Sequence, residues 1–301
     1  MIARDCRSRH PLDRTLRAHR RPRCPTPGAS GGTAEAVVRR RVGLPGGGPG
    51  VAGCPIRTSL AAAVLRPART PVPYLPNQPG YHKRVKAAAP LICQTTVYLA
   101  SLCPSWADDL RLFDATPVPC GMSRCTAQRS DLVGLAGYGY CASHSRWYWG
   151  LKLYLLTTAE GMPVAWCLAN PKLGEREVAA ELLAQARDSG VLRLGMVVLA
   201  DKGLSGKGME RYCTEQVGVL LVRPDRKDEK HRHGNLAGIR QWIESVNDTL
   251  KGQLDLEGHG GRTAAGVFTR VAQRLLALAA VIWHNWLINA EAKRSLTAYD
   301  H

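Results

Sequence analysis

The chain is poor in aromatic residues and has none before residue 74. Only two of its 301 residues are Phe, aromatics make up 6%, and no Phe, Tyr or Trp precedes Tyr74. Lysine is missing there too: up to residue 82 there are fourteen Arg against three acidic residues. With Pro-Thr-Pro-Gly at 25–28 and Gly-Leu-Pro-Gly-Gly-Gly-Pro-Gly at 43–50, this stretch has too little apolar surface to offset the entropy of ordering it. Residues 1–70 are therefore expected to form a disordered, basic, Arg/Pro/Gly-rich segment. It reads either as an arm that gathers nucleic acid without sequence preference or as the product of a shifted reading frame in a GC-rich gene. No amphipathic period or strand-and-turn pattern runs through it.

Other absences narrow the class further. The N-terminus has arginines but no apolar core of a secretory signal. The longest apolar run, Leu275 to Trp283, is too short to span a bilayer. Ten cysteines are scattered without a regular framework in a chain too long to need disulfide staples, so reduced thiols are expected. A cytoplasmic protein without membrane association follows. Acidic residues are scarce as well: 41 Lys and Arg against 24 Asp and Glu give a net charge of +17 and a pI near 9.8. Such a balance favours a polyanionic partner through counterion release, with nucleic acid the first suspect.

From about Tyr74 the chain takes on structural pattern. A helix is expected over 84–101, and Lys83, Arg84 and Lys86 beside Tyr81 read equally as a DNA-backbone contact or a solvated helix start. Leu110–Phe113 is a short apolar run that ends at Asp114, and Trp147–Thr157 with Met162–Leu168 reads as a hairpin. A helix over Glu175–Asp188 precedes a buried-type strand, Met196–Ala200, that ends at Asp201. A Gly-containing helix over 205–216, a strand over Val217–Val222, a charged loop and two more helices follow, the last over Thr263–Asn289. Three leading strands and then alternating helices and strands predict an α/β, ribonuclease H-like mixed sheet flanked by helices. In that order the first and fourth strands lie side by side, with a late helix across them.

That late helix, Arg240 to Lys251, has Trp242, Ile243, Val246 and Leu250 at core spacing. On a regular helix Arg240, Glu244 and Lys251 fall along one side, a carboxylate between two cations. Alone, this is also what a solvated surface helix carries, and Asp114 and Asp201 singly could be turn residues. Together the three carboxylates would repel one another unless a cation stood between them, and hard oxygen donors suit Mg²⁺ or Mn²⁺. Two such ions can drive in-line displacement at a phosphodiester.

Arg240-x3-Glu244-x6-Lys251, with Asp114-Ala-Thr-Pro and Asp201-Lys-Gly-Leu before it, resembles the signature of bacterial insertion-sequence transposases of the DDE type. Arg129-Ser-Asp-Leu, Gly137-Tyr-Gly-Tyr-Cys-Ala-Ser-His-Ser-Arg146 and Gly261-Arg-Thr add to the resemblance, which runs from about Tyr74 to His301. Departures are Ala237, where the family often has Tyr, Ala115 where Ser is frequent, and Leu204 where Tyr is usual. The resemblance implies that Asp114, Asp201 and Glu244 are catalytic and bind two Mg²⁺ (or Mn²⁺). It implies metal-dependent cleavage at insertion-element ends, strand transfer into target DNA, and a homodimer on DNA. Charge and geometry assign Arg240 and Lys251 to DNA phosphates. Residues 71–105 would be a remnant of the family's helical DNA-binding region, and 106–301 the catalytic domain.

Three other readings stand beside this one: a catalytically inactive DNA-binding remnant, a nuclease without strand transfer, and a zinc site at Cys120-x4-Cys125-x15-Cys141-x2-His144. The loop Asp225-Arg-Lys-Asp-Glu-Lys-His-Arg-His233 is rich in charge and reads as a DNA contact or as a solvated loop. Trp147 and Trp149 are candidates to stack on an unpaired base, although one of them is core by alternation.

Overall fold

A computed structural model describes residues 76–121, 124–141, 145–225 and 236–296. The expected N-terminal segment at 1–70, His144 and most of the charged loop at 226–235 lie outside the described residues. Two helices come first. α1 (Gln78–Ala87) is capped by Asn77, whose side chain accepts the Gly80 N–H at 3.1 Å, and α2 (Ala89–Ser101) follows at once. A single helix was expected here. Pro90 lacks the N–H that a continuous helix needs, so the chain restarts with proline in its first turn.

The sheet is built from β1 (Leu110–Gly121), β2 (Gly137–Cys141), β3 (Arg146–Thr158), β4 (Pro163–Ala169), β5 (Val197–Leu199) and β6 (Leu220–Val222). Its order is β2-β3-β1-β5-β6, and β4 pairs with the second half of β3 on the edge that β2 leaves. The β1–β3, β2–β3 and β3–β4 pairs are antiparallel, whereas β1–β5 and β5–β6 are parallel. α3 (Arg124–Arg129) precedes β2; α4 (Glu175–Asp188) and α5 (Lys207–Tyr212) carry the crossovers; α6 (Ala237–Asp248) and α7 (Ala264–Leu287) close the chain. This is the expected α/β arrangement, a mixed ribonuclease H-like sheet flanked by helices.

β2 falls within the Gly-Tyr-Gly-Tyr block and was not expected as a strand, because glycine weakens strand pattern. The reason for glycine is space. A Cβ on Gly139 would come within 2.6 Å of the Tyr148 hydroxyl and 2.8 Å of Pro171, and one on Gly137 within 2.4 Å of Asn170.

β1 also runs further than expected, through Asp114 and on to Gly121, although it contains Pro117 and Pro119. The Asp109 carbonyl accepts the Val197 N–H at 2.7 Å, so odd-numbered β1 residues turn their backbone groups toward β5. β5 ends at Leu199, paired with Leu112. The two prolines therefore present their missing donors on the side where no strand remains, and no ladder bond is lost.

The main core joins α2, α4 and α7 to the sheet. Val267, Val271, Leu275, Leu278 and Ile282 form the buried stripe of α7, and Phe268 stacks on Trp166 of β4 at 4.6 Å between ring centroids. By length and composition α7 could cross a bilayer, more than the nine-residue apolar run suggested, yet most of it is buried inside the fold and it carries the buried Arg270 and Arg274. A second, small cluster of Leu112, Leu199, Val222 and Ile243 fixes α6 across β1, β5 and β6. Val246 and Leu250 join the main core as expected, but Trp242 is half-exposed.

Candidate active site

The register of β1 on β5 places the two aspartates. Leu112 pairs with Leu199, and both lie in the small cluster under α6. Two residues further along each chain, on the same face by strand alternation, come Asp114 and Asp201. Asp114 does not close its strand, as expected from sequence; it lies mid-strand opposite Leu155. Asp201 does stand at the exit of its strand, exposed, where a single tight turn, Lys202–Leu204, begins.

Asp114 is held at both oxygens. Its Oδ1 accepts the Ala115 N–H at 2.8 Å, and its Oδ2 accepts the side-chain amide of Asn247 from α6. Burial pushes its carboxyl up to about 6; the Ala115 N–H opposes this, the Asp201 carboxylate adds to it, and Asn247 and Lys152 oppose it. The Asp201 carboxylate is thus near enough to act on Asp114, just past the point where β1 and β5 stop pairing.

α6 carries Glu244 one turn before Asn247, and Glu244 is exposed. Ile243, packed on Leu112 and Leu199, sets the rotation of the helix, and Asn247 follows it by i+4 and Glu244 by i+3. The helix therefore presents both to the face that bears the aspartates. Among the described residues no three His, Cys, Asp or Glu side chains are gathered closely enough to share one ion. The structure brings Asp114 and Asp201 together, with Glu244 on the same face.

The two expected cations fare differently. The backbone of Arg240 is in α6 as expected, but its side chain lies outside the described residues. Lys251, half-buried, falls in a wider π turn, Thr249–Gln253, that follows α6. The regular helix expected to align it with Glu244 stops at Asp248, and the wider turn rotates Lys251 off that line.

Three supports were missed from sequence. Asn247 is one; its i+3 spacing from Glu244 was a visible signal. Lys152 is the second, ion-paired with Glu175 at 3.1 Å where α4 begins. The third is His259, fully buried, whose Nε2–H donates to the Pro119 carbonyl at 2.9 Å while Nδ1 accepts the Gly261 N–H at 2.9 Å. It pins the far end of β1. Burial drives its pKa down to about 4. Gly261 is required there, since a Cβ would meet the Val267 N at 2.7 Å.

The zinc reading gains nothing from these contacts: Cys141 is buried, Cys125 is exposed, and Cys120 Sγ lies 3.8 Å from His259 Nε2. Of the two tryptophans, Trp149 is core and Trp147 is exposed beside Tyr140, at 5.3 Å between ring centroids.

Compared with known protein families, residues 105–280 match the transposase DDE domain. This chain belongs to that family. Neither the curated proteins nor the solved structures contain a match. The matched span begins just before β1 and ends within α7, so it takes in both aspartates and the helix with Glu244. As a DDE transposase the protein acts on DNA, its chemistry is that of nucleolytic cleavage and transposition, and the family depends in general on divalent metal ions.

Proposed function

We propose that this transposase cleaves DNA at the ends of its insertion element and joins the freed 3′-OH to target DNA, with Asp114, Asp201 and Glu244 as the catalytic carboxylates. The observation that carries the proposal is the placement of Asp114 beside Asp201, on the face crossed by the helix of Glu244.

The residues fit divalent metal. A half-buried carboxylate next to a second one, with a third on the helix above, is an all-oxygen donor set whose repulsion a small, hard cation relieves. Asp114, Asp201 and Glu244 would hold two Mg²⁺ or Mn²⁺, which supply activation of the attacking oxygen and stabilisation of the leaving one. In the first step water attacks the phosphorus at the element's end, the P–O3′ bond breaks, and a 3′-OH is released. In the second that hydroxyl attacks a target phosphodiester, a new P–O3′ bond forms, and a target 3′-OH leaves.

The chain's own groups prepare this site. Ala115 and Asn247 hold the Asp114 carboxylate. Arg240, by a forked guanidinium, and Lys251, as a point charge on the turn that follows α6, bind DNA phosphates. Lys83 and Arg84, exposed on α1, extend the DNA contact as part of a helical remnant at 71–105, and the protein works in the bacterial nucleoid as a dimer that pairs two element ends.

The test is a Mg²⁺-dependent strand-transfer assay on the element's own terminal DNA, with Asp201→Asn alongside. Joined products that need Mg²⁺ and vanish in the variant are expected. A folded protein that yields no cleavage would identify a DNA-binding remnant instead, and cleavage without joining would identify a nuclease.

A further inference from the structure

Asn247 belongs to neither the carboxylates nor the cations assigned above, yet it is the one described side chain seen to donate a hydrogen bond to Asp114. It sits one turn beyond Ile243, the residue that seats α6 on Leu112 and Leu199. Its amide Nδ2 engages Oδ2, and the Ala115 N–H engages Oδ1 at 2.8 Å. Each carboxylate oxygen has two acceptor positions, so each keeps one for a cation.

A neutral donor suits this place. Lys or Arg here would hold the carboxylate by charge and repel an incoming cation, whereas an amide fixes the carboxylate's rotation and leaves its charge for the metal. The same bond ties the helix of Glu244 to the strand of Asp114. One contact therefore sets both the aim of one carboxylate and the approach of another.

Resting on the active-site reading above, we propose that Asn247 is a positioning residue that orients Asp114 for divalent-cation binding and holds the Glu244 helix in register with β1. Donors in this outer position are worth about 10–100-fold in metal affinity.

The experiment measures Mn²⁺ binding to the full chain without DNA, from the electron paramagnetic resonance signal of free Mn²⁺. Asn247→Leu keeps the shape and removes the donor; Asn247→His keeps a donor, its Nδ1–H, at the same number of bonds from Cα. Asp201→Asn tests the underlying site. Expected are weakening by about tenfold or more in Asn247→Leu, binding near that of the unmodified chain in Asn247→His, and recovery of Asn247→Leu cleavage at raised Mg²⁺. If Asn247→Leu does not fold, Asn247→Ala, which cannot overpack, replaces it. Unchanged or tighter binding in the donorless variant, with binding lost in Asp201→Asn, would overturn the proposal alone. Unchanged binding in Asp201→Asn would overturn the active-site reading and this proposal with it.

Discussion

Asp114 sits in the middle of a twelve-residue strand with both carboxylate oxygens engaged, whereas Asp201, two residues beyond a three-residue strand, stands exposed at the start of a single turn. The two are neighbours on one sheet face, and the chain holds them in unlike ways. β1 is braced by β3 along its whole length, by His259 at its far end and by α6 above. The turn after β5 is anchored by Leu204, buried in the main core, by the buried Ser205 and by the first turn of α4, where Glu175 approaches Gly203. One carboxylate is thus carried mid-way along a long strand and the other on a short turn at a strand's exit.

The largest expected effect treats the two aspartates alike. On the proposed assignment, Asp114→Asn and Asp201→Asn should each lower Mg²⁺-dependent cleavage by on the order of a thousandfold, because each would remove a charge that a metal-assisted transition state needs. They should differ in thermal unfolding measured without metal. Asp114→Asn removes a half-buried charge that desolvation disfavours and is expected to unfold at higher temperature, while the exposed Asp201→Asn stays within about 0.5 kcal/mol of the parent chain. Equal shifts in the two melting curves would erase the distinction.

Ile243→Ala comes next. It empties the middle of the four-residue cluster that seats α6 on β1, β5 and β6, at a cost of about 2–5 kcal/mol in urea unfolding. Unchanged stability would show that Val246 and Leu250 alone anchor the helix.

His259 tests the bracing of β1 through pH. Its folded pKa, about 4, lies below the ordinary value of 6.5, so the unfolded chain binds the extra proton first. Its contribution is present above pH 6.5 and is lost as pH falls toward 4, by about 3 kcal/mol in all. Cys120, Arg274 and Asp255 are the titratable or charged groups acting around it. Urea midpoints between pH 7 and 4 should fall steeply for the parent chain and more gently for His259→Gln; parallel curves would assign the acid sensitivity to other groups.

The smallest effect is expected at Gly203. The nearest atoms to a Cβ there belong to the Glu175 carboxylate, the closest at 2.6 Å, the end of a flexible side chain. Gly203→Ala should cost less than about 1 kcal/mol by thermal denaturation; a larger loss would mean that the Asp201 turn is as rigid as β1.

Much of this architecture was legible in the chain. Helix α4 has the bounds its acidic start, apolar stripe and Ser-Gly stop predict, and the hairpin of β3 and β4 differs by a residue or so at its ends. Those features depend on residues close together in sequence. β2 and the far half of β1 were not legible, since glycine at Gly137 and Gly139 and proline at Pro117 and Pro119 argue against strands until the crowding by Tyr148 and Asn170 and the end of β5 are known. Trp242 read as core and is half-exposed, and Lys251 read as aligned with Glu244 and is rotated away by the π turn.

At the candidate site Asp114, Asp201 and Glu244 are proposed from three short blocks whose ordered set resembles the family's signature. Which neighbours each would have depended on contacts between segments far apart. The amide of Asn247 reaches a carboxylate 133 positions earlier, and His259 reaches a carbonyl 140 positions earlier. Local spacing encodes the period of a helix or strand and thus the face a side chain occupies; it carries no measure of what packs against that face. Those pairings arise only when β1, β5 and α6 are brought together over Leu112, Leu199, Val222 and Ile243, because burial of apolar surface fixes the helix position and the polar groups beside it then take the partners within reach.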